Sequence, residues 1–112
     1  MDPAERLHPF TVRETDTLEA ALARIEANGL RSVIVLDGRG RVMGTLSDGD
    51  ARKALLNRRL ISTRVRQLMN LNFVWLPPAE VHRAEELFER HRIFMIPVMG
   101  KDQTLVDVLK AY

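Results

Sequence analysis

The sequence predicts a small α+β fold built from one structural unit used twice, and three observations carry that reading. The chain has 112 residues, the size of one compact domain or of two very small motifs that share a core. Its apolar pattern repeats with an offset of 63 positions. Each copy reads as strand, helix, strand, turn, strand.

Composition sets the outer limits. Apolar residues make up 46% and charged residues 29%, ordinary values for a globular chain that argue against disorder. The absence of cysteine excludes a disulfide framework, a thiolate metal site and a cysteine nucleophile. No apolar run approaches the ~20 residues that span a bilayer, and MDPAERLHPF lacks the apolar core of a signal peptide. A cytoplasmic protein without a membrane segment is expected.

The offset of 63 sets Phe10 on Phe73, Leu18 on Val81, Ala21 on Ala84, Ile25 on Phe88, Leu30 on Ile93 and Val35 on Val98, with no gap. Phe10–Val12 is a short extended entry. Asp16 with Glu19 is a D-x-x-E cap for a helix whose Leu18, Ala21, Leu22 and Ile25 share one face. Asn28-Gly29 ends that helix, since both residues tolerate the left-handed conformation. Ser32–Leu36, β-branched and nearly all apolar, suits a strand covered on both sides. Asp37-Gly38 turns the chain into a second hairpin arm, Arg41–Leu46.

A helix over 48–57 follows, with Ala51, Ala54 and Leu55 inward, then a short turn at 65–69. In the second copy Pro77-Pro78 precedes a helix over 79–91 with Val81, Ala84 and Phe88 inward. Phe94–Val98 and Thr104–Leu109 are its strands. One copy alone cannot bury both its sheet and its helices, so the two should pack face to face and leave clefts between them.

Chemistry concentrates at Gly44-Thr45-Leu46-Ser47-Asp48-Gly49-Asp50, where a strand ends and a helix begins. Ser47 and Asp50, spaced S-x-x-D, form a capping box on one reading. On the other, the same helix N-terminus favours a phosphate while the carboxylate accepts from a ribose diol. Asp48 and Asp50 lack the third ligand a metal site needs. His82 and His91 fall on opposite faces of one helix, His8 lies in an N-terminus expected to be mobile, and Ser47 has no activating base nearby. Trp75 reads as core. The stretch 52–66 carries six cations and no acid, either a solvated linker or an anion-facing surface. Its lack of aromatics argues against nucleic-acid binding. Nothing reads as catalytic.

With VIVLDGRGRVMGTLSDGD, the VRQLM turn and the strand FMIPV in view, the chain resembles tandem CBS-domain (Bateman) modules along nearly its whole length. That resemblance implies two β-α-β-β-α repeats related by a pseudo-two-fold, residues 1–64 and 65–112. It implies an AMP-, ADP- or ATP-type ligand between them and no required cofactor. The family's Ser/Thr-x-x-Asp motif maps onto Ser47 and Asp50. Residues flanking the base map onto Thr11, Val12, Arg31 and Ser32, and in the second copy onto Phe94, Met95, Ile96 and Pro97.

SDGDARKALLN is similar to the CBS pairs attached to sugar-phosphate nucleotidyltransferases, implying a regulatory piece of such an enzyme rather than an enzyme itself. Shifting Ser47 by 63 gives Lys110, so the second motif and its closing helix are absent, and one ligand site is expected. The apolar surface this leaves on the second copy predicts a homodimer or coverage by another domain. A dimerisation scaffold without a nucleotide site is the alternative.

Overall fold

A computed structural model describes residues 3–112; the first two residues of the first repeat lie outside the described residues. The elements are α1 (Pro3–Leu7), β1 (Thr11–Arg13), α2 (Leu18–Asn28), β2 (Ser32–Leu36), β3 (Val42–Ser47), α3 (Asp48–Leu56), α4 (Ala84–His91), β4 (Met95–Met99) and β5 (Leu105–Lys110). Strands β1, β2 and β3 form one sheet in that order, β1 parallel and β3 antiparallel to β2. β4 and β5 form a second, antiparallel sheet.

The repeat holds pair by pair. Ser32 faces Ser47, and Met95 faces Lys110; Val33 faces Leu46, and Ile96 faces Leu109. Each hairpin also carries a bulge at the same place, Met43 in β3 and Val106 in β5. The extra residue reverses which face the rest of the strand presents. Leu46 therefore packs toward α2 and α3 while Val42 packs toward the other repeat. In β5, Leu109 and Leu105 divide the same way. Met43 and Val106, the bulge residues, are exposed.

Three apolar clusters follow from this alternation. Val33, Val35 and Leu46 meet Leu18, Ala21 and Ile25 of α2 and Ala51 and Ala54 of α3. Ile34 and Val42 meet Met95, Met99 and Val108 between the two sheets. Ile96 meets Leu76 and Leu87 beneath α4. The order is helices, sheet, sheet, helix. The chain is thus α+β with two sheet-and-helix repeats packed sheet to sheet.

Several local expectations are corrected. Thr17, rather than Asp16, caps α2 by accepting from the Ala20 N–H (3.2 Å). The Asp16 carboxylate turns back to the Arg13 N–H (2.8 Å). The segment around His8 is held rather than mobile: Leu7 is buried, Arg6 pairs with Asp107 at 2.9 Å, and His8 Nδ1 lies 2.8 Å from the Arg24 guanidinium. Leu55 points outward, leaving Ala51 and Ala54 as the buried residues of α3.

The second repeat is less regular because its entry slips by one residue. In the first repeat Val12 pairs with Val35, but Val98 pairs with Leu76 instead of Trp75. Leu76 fills the core and Trp75 is left 44% exposed, contrary to its reading as core. Glu14 extends the first parallel pairing by donating to the Leu36 carbonyl (2.9 Å). The slipped equivalent is Pro78, which has no N–H to donate. Residues 78–83 form 3-10 turns broken at Glu80, so Val81 is exposed and Leu87 becomes the buried anchor of α4.

Candidate functional site

Ser47 ends β3 and caps α3. Its Oγ accepts from the Asp50 N–H at 3.0 Å, and Asp50 Oδ2 accepts from the Ser47 N–H at 3.0 Å. A hydroxyl and a carboxylate satisfy two donors reciprocally and fix both side chains at the helix start. The Asp48 N–H donates to the Arg31 carbonyl (2.9 Å), tying the helix start to the beginning of β2.

This corner opens on a cleft of about 530 Å³ between the repeats, within the usual range for a small-molecule site. Leu30, Arg31 and Ser32 line one wall and Thr45 with Ser47 to Asp50 another; Ile93, Phe94 and Met95 supply the second repeat's share. The floor is made by the linker. Asn70 exchanges two hydrogen bonds with Thr45 (3.1 and 2.7 Å), which brings Asn70, Asn72 and Phe73 to the cleft. The Arg31 guanidinium carbon stands 5.1 Å from the centre of the Phe94 ring.

Of the residues singled out from sequence, Ser47, Asp50, Arg31, Ser32, Phe94 and Met95 line this one cleft. Thr11 and Val12 do not. They line a different cleft of about 590 Å³, at the opposite end of the strands, with Leu7, His8, Arg24 and Asp37. Ile96 and Pro97 line neither; both are buried within β4. Sequence reasoning missed His91 and Arg92, and it missed Asn70 and Asn72. Arg92 was reachable, since it stands 63 positions after Gly29 where a helix ends. The asparagines gave no signal, because their place depends on the linker pairing with β3.

At the position related to this cleft by the repeat, residues 110–112 make contacts of their own with the first repeat and with Phe94. Lys110, the counterpart of Ser47, sets its ammonium 5.4 Å from the centre of the Phe10 ring. Tyr112 donates to the Gly29 carbonyl (3.2 Å) and meets Phe94 edge-on at 5.8 Å. The two halves are therefore chemically unequal.

Charge around the hairpin ends is tied down. Asp37, buried in the turn, accepts from the Arg39 and Arg41 N–H groups (2.8 and 2.9 Å) and from Arg41 Nε (2.7 Å). The Arg41 N–H foremost holds its carboxyl below the ordinary 3.8. Desolvation pushes the Asp107 carboxyl up, yet the Arg6 guanidinium and the Val108 N–H hold it below the same value. Among the described residues no helix is long and apolar enough to cross a membrane, and no three His, Asp or Glu side chains are placed to hold a metal ion.

Residues 4–57 match the CBS domain family. No curated protein matches the chain by sequence. Among solved structures, one described as an acetoin utilization protein (AcuB) from Vibrio cholerae is 25% identical, with a TM-score of 0.81 over 98% of this chain and 84% of that one. A CBS domain protein from Pyrobaculum aerophilum, complexed with AMP, is 23% identical, with a TM-score of 0.74 over 98% of this chain and 87% of that one. The cytosolic domain of the Mg2+ channel MgtE, in complex with ATP, is 28% identical, with a TM-score of 0.67 over 89% of this chain and 41% of that one. Residues 4–57 thus match the CBS domain, and the chain as a whole has the fold of a tandem CBS pair.

Proposed function

We propose that the chain is a non-catalytic regulatory module whose cleft beneath α3 binds an adenosine nucleotide. One observation carries the reading: the Ser47–Asp50 capping box stands at the lip of a cleft walled by both repeats. The capping box engages Asp50 Oδ2, so Oδ1 is the oxygen offered to a sugar hydroxyl. The α3 N-terminus favours a phosphate beside it. Structures of the same fold that hold AMP and ATP support the ligand class. A ligand touching both repeats would favour one arrangement of them and so regulate whatever the module is joined to.

Two finer points belong to the same proposal. SDGDARKALLN supports a sugar-phosphate nucleotidyltransferase as the regulated enzyme. Exposed Leu55, Leu56, Leu60 and Ile61 at the end of α3 support a homodimer. A single monomeric species in sedimentation at micromolar concentration would count against the dimer.

The test is calorimetry and thermal shift with AMP, ADP, ATP, GTP, CMP and nucleotide-sugars, on the wild type and Asp50→Ala. Saturable binding of an adenosine nucleotide that the variant loses supports the reading. A flat response across the panel favours a dimerisation scaffold in which Ser47 and Asp50 only cap a helix.

A further inference from the structure

The repeat sets a glycine and an arginine in the same place. Gly29 follows α2 with φ of 69°, the left-handed conformation that glycine adopts without penalty at a helix C-terminus. Its counterpart after α4 is Arg92, with φ of 53°. A side chain with a Cβ is strained there. Two residues on from Gly29, Arg31 also has positive φ, 63°. Among the described residues five non-glycines have positive φ, and the two that line the Ser47–Asp50 cleft are both arginines.

Neither arginine is engaged in an ion pair among the described residues. Arg31 rests on the Phe94 ring, and the Arg92 side chain makes no hydrogen bond among the described residues. Neither acid at the α3 start pairs with them: Asp48 lies 3.8 Å from Arg52, and Asp50 accepts from the Ser47 N–H through Oδ2. A strained backbone that holds a cation at a cleft is a structural cost that no ion pair within the described chain offsets. The offset lies in what the cleft holds. One phosphate is provided for at the α3 N-terminus, and two further guanidinium forks suit further phosphates.

We infer that Arg31 and Arg92 make the cleft selective for nucleoside polyphosphates over the monophosphate. The inference rests on the nucleotide reading above and adds to it the ligand's phosphate count. Arg92 is the sharper probe, because removing its side chain has opposite effects on folding and on binding. Arg92→Gly restores the residue the repeat places at Gly29, so the unliganded protein should melt higher, by about 4 °C. The same variant should lose the polyphosphate preference.

The experiment titrates AMP, ADP and ATP by calorimetry, at one ionic strength and without divalent cations, into the full chain and into Arg92→Gly, Arg92→Asn and Arg31→Asn. Asparagine tolerates the left-handed conformation, so those variants remove charge with little change in backbone strain. The expected result is ADP and ATP at least tenfold tighter than AMP in the wild type, and within threefold of AMP in each variant. AMP binding as tightly as ATP to the wild type would overturn the inference and leave the nucleotide reading standing. A preference that survives in Arg92→Gly and Arg31→Asn would overturn it too. Wild type that binds none of the three would overturn both readings.

Discussion

Gly44 offers a sharp test of how the cleft is built. It lies in β3 where the linker crosses, and a Cβ added there would sit 2.7 Å from the Asn70 carbonyl oxygen. It would also meet Met69 Cγ at 3.1 Å and Sδ at 3.2 Å. The methionine can shift, but a backbone carbonyl can retreat only by moving the linker. Gly44→Ala should therefore break the two hydrogen bonds between Thr45 and Asn70. At about 1 kcal/mol net each, their loss costs about 2 kcal/mol. Reduced freedom of the unfolded chain returns about 0.5 kcal/mol. The balance is a loss of about 1–2 kcal/mol, lowering Tm by roughly 5–10 °C. Urea unfolding followed by circular dichroism measures it, and the same variant should weaken ligand binding because Asn70 and Asn72 line the cleft. A variant that melts at or above the wild type would show that the linker is not held against β3 as described.

Ser47→Ala removes the hydroxyl that caps α3 and should cost about 1 kcal/mol in denaturant unfolding; an unchanged midpoint would mean the cap is not formed. Leu87→Ala should cost about 2–4 kcal/mol and Val81→Ala less than about 0.5 kcal/mol. Equal losses would restore the continuous helix over 79–91 and remove the break at Glu80. The folded state holds the Asp37 carboxyl below its ordinary 3.8, so below that value the unfolded chain binds more protons. Its contribution is therefore complete near neutral pH and lost as pH falls through the depressed value. Asp37→Asn should melt lower than the wild type at pH 7, with the gap closing as pH falls below the ordinary 3.8. A gap constant from pH 7 to 2 would refute the assignment.

The sequence by itself determined the elements and their duplication, because these rest on local chemistry and on periodicity. Ser32–Leu36 was legible as a strand from its β-branched apolar run, and Gly29 as a helix end. The spacing of Ser47 and Asp50 announced the cap that forms. The offset of 63 extends to the hydrogen-bond register of both hairpins.

Tertiary structure decided what depends on neighbours distant in sequence. The one-residue slip that buries Leu76 and exposes Trp75 follows from how the entry pairs with β4, and an ungapped alignment of the two copies conceals it. The bulges at Met43 and Val106 turn strand faces in a way that strict alternation does not foresee. Packing between the repeats also chose which residues share the cleft. It brought Arg31 and Phe94, one repeat apart, into contact, left Thr11 and Val12 at the far end of the strands, and sealed Ile96 and Pro97 in the core. A residue's type fixes the chemistry it can offer, but its access to a ligand depends on which surfaces the two sheets leave uncovered when they meet.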